Sequence, residues 1–111
     1  MGDRRSMNLY WRCTMLLTIL TGHVAKENRE LLKERFAREL HNPPQDLLQT
    51  FLIQSEDDPH CWQIISLWRN LEAYEKEHSG KIMEACVQMF CDAGSTPDRT
   101  IFHVTEHYTR V

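Results

Sequence analysis

The 111-residue sequence predicts one α+β domain whose elements follow the order β-α-β-β-α-β. Two observations lead to this prediction. Segments with a strand pattern alternate with amphipathic helical segments in that order, and only a short polar turn separates the two middle strands. A hydrophobic content of 41% is ample for one core, and the length leaves no room for a second. We therefore expect an N-terminal extension over residues 1–13 and a single domain over residues 14–111.

The first strand is expected at Thr14–Thr21, because this segment is apolar and β-branched, is too short for a helix and is followed by Gly22. Alternate residues of a strand point to opposite faces of its sheet. The two faces carry Thr14, Leu16, Thr18, Leu20 and Met15, Leu17, Ile19, Thr21. Neither face is suited to water.

The first helix is expected at Lys26–His41, where apolar side chains recur along one side and charged side chains along the other. The apolar side is formed by Leu31, Leu32, Phe36 and Leu40. Asn28 is placed to cap the start by accepting a bond from a free backbone N–H, and Pro43 and Pro44 prevent the helix from continuing. This pattern predicts a helix that packs on a sheet.

The second and third strands are expected at Leu47–Ser55 and Cys61–Trp68, with a polar turn at residues 56–59 between them. Two strands joined so briefly should form an antiparallel hairpin. One face of the third strand carries Trp62, Ile64, Ser66 and Trp68. This face is therefore dominated by large apolar side chains.

The second helical region begins after Asn70, a candidate N-cap, and breaks or kinks at Ser79-Gly80. It then resumes with a long apolar stripe, and Gly94 is placed to end it. The stripe consists of Ile82, Met83, Cys86, Met89, Phe90 and Ala93. The alternating segment Thr100–Tyr108 predicts the last strand.

This order of elements is the split β-α-β arrangement of ferredoxin-like folds, with one four-stranded antiparallel sheet and both helices on the same face. The other face of the sheet is too apolar for solvent on all four strands. Large exposed apolar faces mark interaction surfaces, and an isologous dimer is the commonest closed arrangement. We expect the protein to form a homodimer through this face.

Composition excludes several classes of partner. The net charge of -3, the pI near 6.0 and the mixed charge pattern leave no broad positive surface, so nucleic acid is not an expected partner. The longest apolar run, Met15–Leu20, is far shorter than the roughly 20 residues that cross a bilayer, so no membrane partner is expected either. The four cysteines lack C-x-x-C spacing and are interpreted as reduced thiols, which indicates a cytoplasmic protein.

No metal site is expected. Among the six histidines, His103 and His107 have the spacing of a helical metal pair, but they fall on a predicted strand. Four residues of strand place them about 13 Å apart, on one face with Thr105. They cannot share one metal ion there.

The segment Trp62–Tyr74, with the sequence WQIISLWRNLEAY, follows a short acidic turn and an amphipathic helix of fitting length. A strand ending in Trp, a short polar link and an Ala-aromatic pair at the helix start resemble the antibiotic biosynthesis monooxygenase family of dimeric α+β barrel proteins. The resemblance covers roughly Thr14 to Tyr108. It implies a small homodimer whose sheets face each other across a barrel, with a ligand cavity between sheet and helices in each subunit.

The resemblance also implies an activity. The best-known members of the family oxidise polycyclic phenolic or anthrone substrates with molecular oxygen and without metal, flavin or haem. The protein helps to form a substrate anion, which itself passes an electron to oxygen. The resemblance therefore implies a cofactor-independent monooxygenase acting on an aromatic or quinol-like molecule.

Matched residue by residue, Trp68 corresponds to the family's strand-end tryptophan and Tyr74 to the tyrosine six residues later. The Asn that some oxygenases carry four residues before the Trp is Ile64 here. In the haem-degrading branch of the fold, a Trp and the haem-ligand His stand at the positions of Glu77 and Val87. Haem is therefore not expected.

Each candidate residue also has an ordinary structural interpretation. We predict that Trp68, Trp62 and Met83 bind the substrate, although large aromatics at strand ends and Met on a helix stripe are more often core. Tyr74 either donates its phenolic proton or only satisfies it at the helix terminus. His23, after the first strand, and His78, at the helix break, are candidates for moving a proton because such positions line cavities in this fold.

Two kinds of function follow from the sequence. The first is the monooxygenase, with Tyr74, His23 and His78 as catalytic residues. The second is a non-catalytic dimeric module that binds a small apolar molecule or stabilises a partner, and Ile64 favours it. An isomerase or stress-related protein on the same fold is a third possibility, for which the sequence offers no dedicated motif.

Overall fold

The computed structural model describes residues 14–78 and 81–110, apart from the side chains of residues 77–84. Within these ranges the elements are β1 (Leu16–His23), α1 (Arg29–Glu39), β2 (Leu47–Gln54), β3 (Cys61–Trp68), α2 (Leu71–His78), α3 (Lys81–Asp92) and β4 (Asp98–His103). A short 3-10 turn, Lys26–Asn28, precedes α1. The predicted extension over residues 1–13 and the helix break at Ser79-Gly80 lie outside the described residues.

The four strands form one antiparallel sheet in the order β2-β3-β1-β4. The predicted hairpin is confirmed, because β2 pairs directly with β3. At one end of the sheet, Leu16 of β1 lies between Trp68 of β3 and His103 of β4. The α+β, ferredoxin-like class predicted from the sequence is therefore confirmed.

The first strand runs two residues further than predicted, so that Gly22 lies within β1 and does not end it. Gly22 pairs with Trp62 of β3, and the ring of Phe90 from α3 packs directly against its Cα. A Cβ atom at this position would lie 2.5 Å from Cδ1 of Phe90. The glycine therefore allows a close approach between helix and sheet.

The first helix is shorter than predicted, since α1 begins only at Arg29 and ends at Glu39. Asn28 stands at the N-cap position, but its side chain makes no capping bond. Its Nδ2 atom instead donates a hydrogen bond of 3.2 Å to the carbonyl of Ala93, just after α3. Asn28 thus joins the start of α1 to the end of α3.

The two signals at the ends of the second helical region are confirmed. The Asn70 Oδ1 atom accepts a hydrogen bond of 2.8 Å from the backbone N–H of Ala73, which caps the start of α2. Gly94 adopts a φ of 85° after α3, and the N–H of Ser95 donates back to the carbonyl of Phe90 at 2.8 Å. This is the hydrogen bond of a glycine-terminated helix.

The predicted last strand is confirmed, but its expected bounds, Thr100–Tyr108, are wrong, because β4 covers Asp98–His103. Its partner β1 begins at Leu16, and the final bond between the two segments runs from the N–H of Val104 to the carbonyl of Met15. His107 is exposed beyond the strand. The expected common strand face of His103, Thr105 and His107 therefore does not form.

The two faces of the sheet differ in how they are covered. The helix-covered face holds the main core, in which Leu20 and Ile64 pack with Leu32 of α1 and with Met89 and Phe90 of α3. The other face, here called the open face, carries apolar side chains that are partly buried or exposed. The apolar residues of the open face are Leu17, Ile19, Phe51, Ile53, Ile65, Leu67 and Phe102, and the polar residues Thr21, Gln49, Gln63 and Thr100 lie on the same face.

Exposure on the open face is large at the two outer strands. Phe51 of β2 is 50% exposed and Phe102 of β4 is 49% exposed. Monomeric proteins rarely leave contiguous apolar patches of this kind in contact with water.

Among the described helices, none is long and apolar enough to cross a membrane.

Candidate functional site

Trp68 and Tyr74 lie together, as the sequence predicts for a shared site. Trp68 ends β3, and Tyr74 is in the first turn of α2, where the capped helix start brings it back against the strand end. The rings meet edge to face, with centroids 5.8 Å apart and planes at 74°. Both residues are buried, and they pack with Leu16 in a small cluster distinct from the main core. The contact fixes the position of both aromatic side chains.

A line of three hydroxyl groups crosses the sheet beside Trp68. Thr18, Ser66 and Thr50 occupy paired positions on β1, β3 and β2, on the helix-covered face. The Trp68 Nε1–H donates to the Thr18 Oγ1 at 3.4 Å, and the hydroxyls of Ser66 and Thr50 are 3.0 Å apart. We call these three residues the hydroxyl row. Sequence analysis did not identify it, although Thr18 and Ser66 share the strand faces of Leu16 and Trp68.

A small cavity of about 10 Å³ lies between the sheet and the helices next to this row. Its sheet side is formed by Leu47, Thr50, Ser66 and Trp68. Its helix side is formed by Phe36, Glu39, Leu40, Cys86 and Met89. A volume of this size holds about one water molecule. It lies between the sheet and the helices, where the family resemblance implies a ligand cavity, but it is too small to hold an organic ligand.

Two of the lining residues, Glu39 and Cys86, carry titratable side chains. Burial, and to a smaller extent the nearby charge of Glu39, raise the pKa of the Cys86 thiol from 9.0 to about 12, although the charge of Arg99 opposes the shift. The thiol therefore stays protonated near neutral pH. Glu39, the last residue of α1, is an exposed residue that also lines the cavity, and its charge lies close enough to affect Cys86. Sequence analysis offered no reason to assign Glu39 to a site.

Tyr74 has a polar neighbour in Arg99 of β4. Burial raises the pKa of the Tyr74 hydroxyl above its usual value of 10.0, and the charge and hydrogen bond of Arg99 partly counteract this effect. The phenol is therefore neutral near pH 7 and able to donate a proton. Arg99 can contact Tyr74 because it lies opposite Leu20, on the helix-covered face of the edge strand β4. No pattern in the sequence singled it out.

Trp62 and His23 lie at the other end of the sheet. The His23 ring is exposed, with its Nε2 atom 3.9 Å from the Oδ2 atom of Asp58. His23 lies seven positions along β1 from Leu16, which pairs with Trp68. The Cα atoms of His23 and Leu16 are therefore about 23 Å apart. Trp62 is buried in the main core, and its indole nitrogen has no hydrogen-bond partner among the described residues. Neither residue lines the cavity beside Trp68.

His78 and Met83 belong to the described backbone, at the end of α2 and within α3, but their side chains lie outside the described residues. Their assignments as proton carrier and substrate contact remain predictions. Among the described residues there is no group of three or more His, Cys, Asp or Glu side chains that could hold a metal ion.

Comparison with known proteins gives similarity in structure only. No family model matches the sequence, and no curated protein matches it. A variant of SnoaB, a cofactor-independent oxygenase from Streptomyces nogalater, is 13% identical and matches 87% of this chain and 99% of its own with a TM-score of 0.70. A candidate antibiotic biosynthesis monooxygenase from Caulobacter crescentus is 15% identical, matching 91% and 99% of the two chains with a TM-score of 0.69.

A conserved protein from Methanosarcina mazei is as similar in shape, with a TM-score of 0.70 at 6% identity over 85% of this chain and 96% of that one. At such identities the similarity shows the fold and not the activity. The resemblance to the antibiotic biosynthesis monooxygenases that the segment Trp62–Tyr74 indicated is thus confirmed at the level of the fold.

Proposed function

We propose that the protein is a cofactor-independent monooxygenase that binds a small aromatic or quinol-like molecule between sheet and helices, beside Trp68. The observation that carries the proposal is the Trp68–Tyr74 pair, of which Trp68 lines a cavity in the part of the fold where the family resemblance implies a ligand site. The similarity in fold to SnoaB, a cofactor-independent oxygenase, supports the same function.

The residues around the cavity suit the chemistry of an anthrone-type substrate. Such a substrate loses a proton from its ring CH₂ group, and the resulting anion reacts with molecular oxygen. One oxygen atom becomes the new carbonyl, and the other leaves as water with the two hydrogens of the CH₂ group. Glu39, which lines the cavity, would accept the first proton. Arg99 and Tyr74 do not line the cavity and lie beyond Trp68, so they would act only when a bound substrate enlarges the site: the charge of Arg99 would then stabilise the anion, and the neutral Tyr74 phenol would donate a proton to the oxygen that leaves.

A binding module without catalytic activity is the second candidate. The small volume of the cavity and the apolar Ile64, at the position of the family's Asn, favour it. A binding module would be stabilised against heat by an aromatic ligand and would consume no oxygen. This difference separates the two candidates in one set of experiments.

We further propose that the protein is a homodimer that pairs through the open face. Ile65 pairs with Phe51 and Ile19, and Leu17 pairs with Leu67 and Phe102, so these side chains form two adjacent rows that together make one apolar band. Two such bands facing each other would remove the exposed aromatic rings from water.

The described cysteines Cys61, Cys86 and Cys91 are free thiols, which supports a cytoplasmic location.

Oxygen uptake by the purified, metal-free and flavin-free protein tests the monooxygenase proposal. The assay uses a panel of anthrones and quinols, and we expect uptake with at least one of them. Tyr74→Phe keeps the ring and removes the proton donor, so the rate should fall by about 100-fold. Tyr108→Phe, at a position that is 78% exposed, is the matched control and should keep full activity.

The role of Glu39 has its own control. Glu39→Gln keeps the shape of the side chain and removes the proton acceptor, so turnover should fall by about 100-fold. Glu27→Gln, at an exposed position before α1, should leave turnover unchanged. If oxygen uptake by the wild-type protein were no higher than uptake by Tyr74→Phe for every compound of the panel, the monooxygenase proposal would be refuted.

A further inference from the structure

An outer groove of about 240 Å³ lies directly outside the cavity, where the edge strand β2 begins. The groove and the cavity share three lining residues, Leu40, Leu47 and Thr50. These three residues therefore form the partition between the groove and the closed space beside Trp68.

Burial increases from the groove inward. Leu40 and Leu47 are partly buried, whereas Trp68, Cys86 and Met89 on the inner wall are almost fully buried. The side of the cavity that lies nearest to solvent is therefore the one formed by the two leucines. A molecule that enters from this groove meets them first.

The cavity must enlarge before it can accept an organic ligand, because small-molecule sites usually measure about 300–1,000 Å³. The inner wall is hard to move, since Ser66 and Trp68 belong to β3, which is paired on both sides. The two leucines are held less firmly. Leu40 is the C-terminal cap of α1, and Leu47 is the first residue of an edge strand.

The strand β2 is also irregular at this point. Leu47 pairs with Trp68 and Gln49 pairs with Leu67, so that Leu48 is an extra residue in a β-bulge. Bulges recur next to binding sites, where they re-aim a side chain and interrupt strand pairing. Leu47 can therefore move with less loss of sheet hydrogen bonding than a residue within a regular strand.

We propose that Leu40 and Leu47 form the entrance to the cavity and decide which ligands enter. The molecule that passes between them is flat and apolar with one hydroxyl or carbonyl group, which reaches the paired hydroxyls of Thr50 and Ser66. These hydroxyls lie 3.0 Å apart at the inner side of the entrance and offer both a donor and an acceptor. The inference rests on the proposed function, because it concerns how the substrate of that site enters and is held.

Binding of 1-naphthol under nitrogen tests the entrance without requiring turnover. Stopped-flow fluorescence gives the association rate, and titration gives the dissociation constant. Leu47→Ala and Leu40→Ala should speed association several-fold, and Leu40→Phe, which adds bulk without removing core contacts, should slow it. Leu48→Ala is the matched control, because Leu48 lines the groove and not the cavity, and its rate should equal that of the wild type.

The hydroxyl pair is tested with a second ligand. Thr50→Val should raise the dissociation constant of 1-naphthol about fivefold, the effect of one lost hydrogen bond, and leave that of naphthalene unchanged. Equal association rates for the Leu40, Leu47 and Leu48 variants would overturn the proposal that Leu40 and Leu47 form the entrance. A wild-type protein that does not bind 1-naphthol would overturn it as well. Binding with the expected rates but without oxygen uptake on the substrate panel would refute the monooxygenase and leave the entrance intact.

Discussion

The indole N–H of Trp68 donates a hydrogen bond to the hydroxyl of Thr18 across the two central strands, with 3.4 Å between Nε1 and Oγ1. Both side chains are almost completely removed from water, at 1% and 2% exposure. Thr18 therefore gives the buried indole its acceptor and holds the ring between the cavity and Tyr74. The orientation of the proposed pocket wall depends on this bond.

Replacing Thr18 by Val keeps the shape of the side chain and removes the acceptor. The buried indole nitrogen would then have lost its partner, which costs about 1–3 kcal/mol. We expect the free energy of unfolding in urea to fall by this amount. Thr96→Val, at an exposed position between α3 and β4, is the control and should change it little. Equal losses in the two variants would show that the Thr18–Trp68 bond contributes nothing specific.

Gly22→Ala should destabilise the protein, because the added Cβ atom meets the ring of Phe90 at 2.5 Å. Such overpacking typically costs about 1–3 kcal/mol. Thermal and urea unfolding both measure the loss. The double variant Gly22→Ala/Phe90→Leu removes the ring, so the added cost of Gly22→Ala should be smaller in the Phe90→Leu background. If the cost is the same in both backgrounds, the close approach is not its cause.

The homodimer is tested by two neighbouring residues of β4 that point to opposite faces of the sheet. Phe102 lies on the open face and Ile101 on the other, and they are 49% and 45% exposed. Phe102→Lys should convert the dimer into a monomer, because it places a charge within the apolar band. Ile101→Lys should remain dimeric. Sedimentation velocity distinguishes these outcomes, and a monomeric wild type would contradict the proposed interface.

The reactivity of the cysteines follows from their burial. The pKa of Cys86 is raised to about 12, so its reactive thiolate is scarce at pH 8, whereas Cys91 is exposed on the same helix. Iodoacetamide should modify Cys91 first, and at pH 8 the labelling of Cys86 should be much slower because almost none of its thiol is ionised. Mass spectrometry of the native protein after timed labelling measures both sites. Equal labelling of Cys86 and Cys91 at pH 8 would show that the cavity wall opens readily.

Much of the fold could be predicted from the sequence, because the local patterns agree with the sheet. The strand Cys61–Trp68, the Asn70 cap and the Gly94 terminus depend on neighbouring residues alone, and each was predicted correctly. The errors have long-range causes. Gly22 stays in β1 because it pairs with Trp62 of β3, and β4 ends at His103 because its partner strand β1 begins at Leu16.

The candidate site was predictable only in part. Trp68 and Tyr74 are close in sequence, so one strand end and one helix start suffice to bring them together. Glu39 and Arg99, by contrast, come from elements far apart in the chain, and their charged side chains have the pattern of a solvent-exposed surface. Only the strand order β2-β3-β1-β4 and the packing of α1 place them near Cys86 and Tyr74.

The central claim is that a small aromatic molecule binds between the sheet and the helices beside Trp68. A crystal structure of the protein with 1-naphthol, grown under nitrogen, tests it most directly. We predict the ring in contact with Trp68, its hydroxyl within hydrogen-bond distance of Thr50 or Ser66, and the side chains of Leu40 and Leu47 displaced. A ligand bound to the open face, or held in the outer groove above an unchanged cavity, would contradict the claim.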